Sequence, residues 1–417
     1  RRNLVTADLG GTSYDVCLVH EGEPVTKVRA ELFGLWTGLV MVDIESIGAG
    51  GGSIGWIDSR GQLQVGPRSA GADPGPACYR RGGELPTLTD ALLVLGFLDP
   101  ERFLGGRMKL DLEAARGALR PIAETMRVGE EEAAAGIYRM ALENMTLTTK
   151  ALVTEKGYDP RDFSLVSYGG GGSLFTALIA RELGVRDVVV PRLASVFSAC
   201  GAATADTRRD AARTVFAEMP ADPQALERVY REVTADVRER IGREAEGTLQ
   251  VEIVWEADLR FAKQNWEVTV SLPEGPLTSE TVAGLERAFL EKYERLYGKG
   301  VVLREAGIQL VNCRAVGYGR RRKPDLRRHR LGPPDPSPAR TGSRTIRVPA
   351  GAAWTLVPRA VAILDAGTLR PGMRVEGPAV LEHPDTTIFV PEGMTAAIDE
   401  LESCVIAARA PVNRRRQ

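Results

Sequence analysis

The sequence predicts an α/β fold over its first 206 residues, followed by an α+β domain and a small β-rich C-terminal module. Three observations carry this. Apolar runs flank a glycine turn, Leu4 to Ala7 before it and Tyr14 to Val19 after it, which reads as strand, tight turn, strand. Asp162 to Tyr168, Gly169 to Gly172, Ser173 to Leu183 and Val185 to Pro191 read as strand, open turn, helix stopped by Gly184, and strand, the α/β pattern. From about residue 206 the texture changes to a charged amphipathic helix and long strands, which opens a second domain.

The elements follow in order. Val25 to Leu32 is a third strand after the turn Glu21-Gly22-Glu23-Pro24. Gly48 to Ser53 is a glycine-rich loop leading into a hairpin, Ile54 to Asp58 and Gln62 to Val65. The proline and glycine content of Ala70 to Tyr79 predicts a structured loop, and Thr87-Leu88-Thr89-Asp90 leads into a helix over Ala91 to Leu95. Glu130 to Lys156 is a long helix with Ile137, Met140, Ala141, Asn144, Leu147 and Ala151 on its apolar stripe. In the second domain, Leu226, Val229, Val233, Val237 and Ile241 mark one helix and Val282, Leu285, Phe289, Tyr293 and Leu296 another. Strands are expected at Leu249 to Leu259, Trp266 to Leu272 and near Gln309 to Val316. The proline cluster Leu331 to Pro338 reads as a linker into the module, so the expected domains are 1–206, 207–330 and 331–417.

Composition narrows the function. Charged residues make up 26% of 417 residues and sum to a net charge of -1, so neither nucleic acid nor an anionic membrane is called for as a partner. The basic residues Arg320 to Lys323 and Arg327 to Arg330 read as a solvated face without an aromatic platform. Apolar stretches fall short of the roughly 18 residues that span a bilayer, and Arg1-Arg2-Asn3-Leu4 is not a signal-peptide pattern, so a cytoplasmic location is expected. Five cysteines without a Cys-x-x-Cys pair fit reduced thiols, and three widely separated histidines argue against a histidine metal site.

The chemistry sits at the glycine turns. Gly10 and Gly11 let the backbone approach an anion, Thr12 and Ser13 add hydroxyl donors, and Asp8 and Asp15 add carboxylates; together they point to a nucleotide and its Mg²⁺. Gly169, Gly170, Gly171, Gly172 and Ser173, at a helix start, form a second anion or nucleoside site. An ordinary hairpin turn is the competing reading of the first motif; two such turns in one chain favour the nucleotide. Gly50-x-Gly52-x-x-Gly55 and Gly51-x-Ser53-x-Gly55 match a dinucleotide fingerprint and a nucleophile elbow in letters only, because a hairpin follows where each needs a helix. A Gly-x4-Gly-Lys-Ser/Thr P-loop does not occur.

Asp8-Leu-Gly-Gly-Thr-Ser-Tyr-Asp15, Ile47 to Ile54, Gly66 to Tyr79, Pro86 to Asp90, Gly157 to Asp162, Tyr168 to Ser173, Val196 to Gly201 and Gly377 to Leu381 resemble the hydantoinase A/5-oxoprolinase family, whose relatives include N-methylhydantoinase A and acetone and acetophenone carboxylase subunits. The resemblance implies half of an actin-like, sugar-kinase-like ATPase fold, with the Asp8 turn as the second phosphate motif and Gly169 to Gly172 as the adenosine motif. It implies ATP and Mg²⁺ as cofactors, with Asp8 or Asp15 orienting the metal's water shell and Asp8 the metal-side candidate, and hydrolysis of a cyclic amide of the hydantoin or 5-oxoproline type through phosphorylation of the substrate; ketone carboxylation and a noncatalytic assembly role are the alternatives. Asp73, Cys78, Thr89 and Asp90 fall near the reacting centre in the family pattern, which makes Asp8, Asp15, Asp73 and Asp90 the candidate catalytic residues. Cys78 also reads as a small buried residue, and Asp90 as a helix cap. Family members carry a similar Asp-x-Gly-Gly-Thr turn ahead of this point, so the resemblance implies an N-terminal half and a hydantoinase B-type subunit as partners, and little activity in the chain alone.

Overall fold

The computed structural model describes residues 1–27, 30–32, 34–37, 41–244, 248–298, 300, 306–350 and 355–408. Strands β1 (Leu4–Leu9) and β2 (Tyr14–His20) open the chain, followed by the short strands β3 (Glu23–Pro24), β4 (Thr26–Lys27), β5 (Ala30–Leu32), β6 (Leu35–Thr37) and β7 (Met41–Val42). Next come β8 (Ile44–Ile47) and the hairpin β9 (Ser53–Ile57) and β10 (Leu63–Ser69), then helices α1 (Leu88–Val94), α2 (Leu112–Met126) and α3 (Glu130–Glu155). The α/β unit finishes with β11 (Ser164–Tyr168), α4 (Thr176–Leu183) and β12 (Val188–Val190), and α5 (Phe197–Thr204) follows. Beyond it run β13 (Thr207–Glu218), α6 (Pro223–Glu244), β14 (Thr248–Phe261), β15 (Val268–Pro273), α7 (Ser279–Tyr297) and β16 (Ile308–Arg321). The C-terminal strands are β17 (Arg340–Ala350), β18 (Thr355–Asp365), β19 (Arg374–Glu376), β20 (Ala379–His383), β21 (Thr386–Val390), β22 (Met394–Ile398) and β23 (Cys404–Ala408). Two compact units result, Arg1–Ser198 with Leu326–Gln417, and Ala199–Asp325.

The first unit is built on a sheet of order β19-β22-β23-β12-β11-β1-β2-β3, with β8 also pairing with β2. β1, β11 and β12 are parallel, whereas β2 is antiparallel to both β1 and β8. The alternation in β1 explains its facing: Val5, Ala7 and Leu9 are buried while Thr6 and Asp8 are half-buried on the other face. Helix α3 supplies Ile137, Tyr138, Ala141 and Met145 to this core, and α4 supplies Ala177, Leu178 and Ile179. Each large side chain so buried contributes roughly 1.5–3 kcal/mol. Tyr14, at the start of β2, reaches Thr149 Oγ1 on α3 at 2.9 Å and satisfies its buried hydroxyl.

The structure adjusts several sequence expectations. The buried face of α3 also runs through Thr149 and Leu152, while Leu147 is exposed. The expected helix from Ser173 is a 3₁₀ turn, Gly172–Leu174, followed by α4, which stops where Gly184 takes a left-handed conformation. Helix α2 gave no clear sequence signal because Pro121 lies inside it; Asp111 caps its start by accepting from Ala114 N. The segment after Leu326 is β-rich as expected. Its β17, β18, β20 and β21 form one sheet, while β19, β22 and β23 extend the main sheet beyond β12.

In the second unit, the antiparallel sheet β13-β16-β14-β15 packs with α6 and α7 around Tyr230, Val237, Trp255, Phe261, Phe289 and Cys313. The Tyr230 and Trp255 rings stack at 4.7 Å, and Trp255 Nε1 donates to Thr234 Oγ1 at 2.8 Å. Among the described residues no helix is long and apolar enough to cross a membrane.

Asp43 is buried between the ammonium groups of Lys27 and Lys156 in the first unit. Burial by itself raises its pKa, but the two lysines outweigh it and hold the carboxyl below its ordinary value. A lowered folded pKa contributes stability that is present above the unfolded value of about 3.9 and is lost as the pH falls through the folded one. Denaturant titrations at pH 7 and pH 3 are therefore expected to show a component of acid destabilisation that Asp43→Asn removes. At pH 7 the substitution should cost about 1–2 kcal/mol, the partial exposure of both lysines reducing the value of a fully buried pair.

Candidate functional site

Parallel neighbours β1 and β11 stand in register, Asp8 opposite Tyr168, so both end at the same level and both pass directly into glycine turns. In an open parallel sheet the crevice beyond the strands' carboxyl ends is where ligands bind. The two turns touch: Gly171 N donates to Leu9 O at 3.3 Å. Gly169 has φ +79°, and a Cβ there would lie 2.3 Å from Leu9 O and 2.6 Å from Asp8 Oδ1, so only glycine fits. Gly170 is different, since a Cβ would meet nothing closer than Asp385 O at 3.9 Å and would project into open space.

The first turn rests on the loop 48–52. Gly51 N and Gly52 N donate to Gly10 O and Gly11 O at 3.0 and 2.6 Å, and a Cβ on Gly50 would lie 2.4 Å from Thr12 N. The loop thus occupies the turn's carbonyls. Gly10, Gly11 and Thr12 are exposed, a Cβ on either glycine would meet nothing within 4 Å, and among the described residues no carbonyl accepts from Gly11 N or Thr12 N. An open cradle with free N–H groups suits an anion.

Asp8 also stands opposite Asp15 across the hairpin, so Asp15, Asp8 and Tyr168 form a row on one sheet face. Ser198 Oγ donates to Asp8 Oδ2 at 2.7 Å and Ser13 Oγ to Asp15 Oδ2 at 2.7 Å. Burial raises the Tyr168 phenol, with a Thr6 hydrogen bond opposing the shift, so the tyrosine stays neutral beside the carboxylates. Among the described residues no group of three or more His, Cys, Asp or Glu side chains could hold a metal. A pair of carboxylates beside a phosphate cradle is a donor set that fits Mg²⁺, which keeps several waters and takes one or two carboxylates.

The remaining expected residues lie elsewhere. Asp90 is fully buried and accepts from Ala77 N, Cys78 N and Thr87 N at 3.2, 2.8 and 2.9 Å, pinning the loop 70–79 to the start of α1 as part of a capping box. Cys78 is buried, and burial followed by Asp90 drives its thiol pKa well up, which leaves it unreactive. Asp73 is exposed on the same loop. Gly172 and Ser173 are buried behind the second turn, where Ser173 Oγ meets Ser167 Oγ at 3.3 Å. Ser53 is buried and donates to Gly48 O at 3.1 Å, with β9 and β10 following as the hairpin reading required.

Beside the turns is a cleft of about 420 Å³ walled by Gly10 to Thr12, Gly170 and Gly171, the loop residues Ala72 and Tyr79, Leu92 of α1, Phe103, and the tip of the β20–β21 hairpin. Thr386 Oγ1 of this tip donates to Gly170 O at 3.3 Å. Arg102, Glu382, His383 and Asp385 are also on the wall, and no local sequence motif singles them out. The nearby Gly377 to Leu381 motif was the one available signal.

A sheet ordered β8-β2-β1-β11-β12 with glycine turns closing β1 and β11 is one lobe of an actin-like ATPase fold. The chain belongs to the hydantoinase/oxoprolinase family: residues 1–211 match the hydantoinase/oxoprolinase model and residues 216–403 the hydantoinase/oxoprolinase C-terminal domain. It is 32% identical over 415 residues to the caprolactamase subunit alpha of Pseudomonas jessenii, covering 95% of this chain and 57% of the relative. It is 33% identical over 427 residues to the acetophenone carboxylase gamma subunit of Aromatoleum aromaticum, covering 98% of this chain and 57% of the relative. The crystal structure of the ATP-dependent caprolactamase from Pseudomonas jessenii superposes with a TM-score of 0.83 at 30% identity, over 98% of this chain and 59% of that one. A nucleotide-free acetone carboxylase structure gives 0.81 at 29% identity, over 98% and 58%. The chain therefore spans somewhat more than half the length of these relatives.

The glycine geometry yields a paired expectation. Gly169→Ala combines a left-handed backbone with a clash against main chain and should destabilise the first unit by about 3 kcal/mol or more, whereas Gly170→Val should stay within about 1 kcal/mol of the parent. Thermal and denaturant unfolding of the two variants checks this; equal stabilities would contradict the assigned packing.

Proposed function

We propose that this chain is the phosphate- and nucleoside-holding part of a larger, multi-subunit ATP-dependent enzyme that opens a cyclic amide. The observation that carries the reading is the joining of two glycine turns, distant in sequence, at the level ends of β1 and β11. Gly11 and Thr12 hold phosphate oxygens through their N–H groups and the Thr12 hydroxyl, Gly10 and Ser13 shape the turn through the Gly10 N to Ser13 O hydrogen bond, Asp8 and Asp15 hold the water shell of Mg²⁺, and Gly169 to Gly171 leave room for the nucleoside. When bound, ATP supplies a phosphoryl group and Mg²⁺ neutralises its charge. An amide carbonyl is a poor electrophile, and phosphorylation of its oxygen activates the carbon: water adds there, the ring C–N bond breaks as the nitrogen takes up a proton, and a second water cleaves the resulting acyl phosphate to carboxylate and inorganic phosphate. The protein's own contribution is positioning and fixed dipoles.

The caprolactamase relative supports the hydrolytic reading. The similarity to a ketone carboxylase subunit favours a second one, in which the phosphorylated species is an enolate and bicarbonate or CO₂ is the other reactant. The relatives' extra length and their description as subunits support a second lobe and a hydantoinase B-type partner in the working enzyme.

Calorimetric titration with MgATP tests the nucleotide assignment. This chain alone should bind weakly and hydrolyse ATP negligibly. Gly170→Val should weaken binding at least tenfold while remaining folded, and Asp8→Asn should abolish the Mg²⁺ dependence of binding. Vigorous ATPase activity in the chain alone, or parental affinity in Gly170→Val, would contradict the reading. In the assembled enzyme, ATP turnover coupled to ketone loss and dependent on bicarbonate would select carboxylation over ring opening.

A further inference from the structure

We propose that the cleft beside the phosphate turn is the acceptor pocket and that it takes an uncharged cyclic amide rather than one bearing a carboxylate. This deepens the cyclic-amide reading by naming the substrate class, while the ligand chemistry of the pocket rests on its own walls.

The first argument is charge. Among the described residues each arginine at the pocket is already paired with a protein carboxylate. Glu382, nine-tenths buried, lies 2.9 Å from Arg344 and 3.6 Å from Arg102, and Arg344 also reaches Asp99 at 3.1 Å. His383 pairs with Asp385 through Nδ1, and Ser195 donates to the same carboxylate. Two arginines face two carboxylates, and the histidine has its own. A ligand carboxylate entering here has to compete with a protein carboxylate for its cation and to give up its hydration as well. An uncharged ligand disturbs neither pair.

The second argument is the wall itself. Leu92, Leu98, Phe103 and Leu174 provide apolar contact for a small ring, and a volume of about 420 Å³ accommodates one with space towards Gly10 to Thr12. Tyr79 packs on Phe103 with ring centroids 5.8 Å apart. Burial raises its phenol to about 12, with a Thr89 hydrogen bond opposing the shift, so at neutral pH it keeps its proton, and a ligand carbonyl that accepts this proton takes it in exchange for the contact with Thr89. Asp90 contributes at one remove by anchoring the loop that presents Tyr79. An apolar ring with a carbonyl oxygen matches this arrangement, and the open end of the pocket is the phosphate turn.

Saturation-transfer NMR on the full 417-residue chain tests the proposal with ε-caprolactam, 2-pyrrolidone and 5-oxoproline as probes. The two uncharged lactams should receive saturation, and 5-oxoproline should bind at least tenfold more weakly. Ala72→Trp places bulk at an exposed position on the pocket wall and should abolish transfer to the lactams. Tyr79→Phe should weaken them roughly three- to tenfold, the worth of one neutral hydrogen bond; near-UV circular dichroism confirms that both variants are folded. Binding of 5-oxoproline as tight as that of the lactams, lactam binding unchanged in Ala72→Trp, or no transfer to any lactam would each overturn the proposal. Lactam binding without MgATP binding would leave the pocket standing and remove the nucleotide reading; the reverse result would do the opposite.

Discussion

The contact on which the rest of the site depends is between main-chain atoms: the Gly169 to Gly171 turn against the carbonyl of Leu9. Two parallel strands in register end side by side, and the chain must leave both in the same small space. A side chain at Gly169 would occupy the position of Leu9 O, and one at Gly50 would occupy that of the Thr12 peptide. Removing Cβ at these points lets three backbone segments converge through their own N–H and carbonyl groups, and among the described residues leaves Gly11 N and Thr12 N without a carbonyl acceptor. The result is a polar surface made of main chain, which needs no side-chain reorganisation to meet an anion.

Around that contact the protein spends buried polar groups on holding loops still. Asp90 gathers three backbone N–H groups and so fixes the loop that carries Tyr79 to the cleft. Arg344, from the C-terminal segment, donates to Gly96 O and Phe97 O and pairs with Asp99, tying that segment to the end of α1. The β20–β21 hairpin is thereby fixed with its tip over Gly170. Loops held in this way can carry function without the mobility that long connections usually have.

Much of this was legible in the sequence, and the reasons for the rest are physical. The glycine turns, the hairpin after Ser53 and the helix from Glu130 announce themselves locally, through backbone freedom and periodicity. The four-residue glycine run marked its turn but not which glycines face the ligand: Gly170 and Gly171 line the cleft while Gly172 is buried, a difference set by packing against Leu9 and Ser167. Asp90 was open to two readings in sequence, and only its three hydrogen bonds show what its carboxylate holds. Strand β13 was invisible because Arg208, Arg209 and Asp210 hide its alternation at a sheet edge. That β22 and β23 extend a sheet begun by residue 4, and that Glu382 and His383 come to the cleft beside Gly10, follows from strand pairing over hundreds of residues, to which no local pattern refers.

The central claim is that the two glycine turns act as one nucleotide-binding surface. Amide hydrogen exchange on this chain with and without saturating MgATP measures that directly, peptide by peptide. The account predicts that peptides containing Gly10 to Ser13 and Gly169 to Ser173 gain protection together and at the same nucleotide concentration, with the unit Ala199–Asp325 unchanged. Protection of one turn without the other, or confined to Ala199–Asp325, would contradict it.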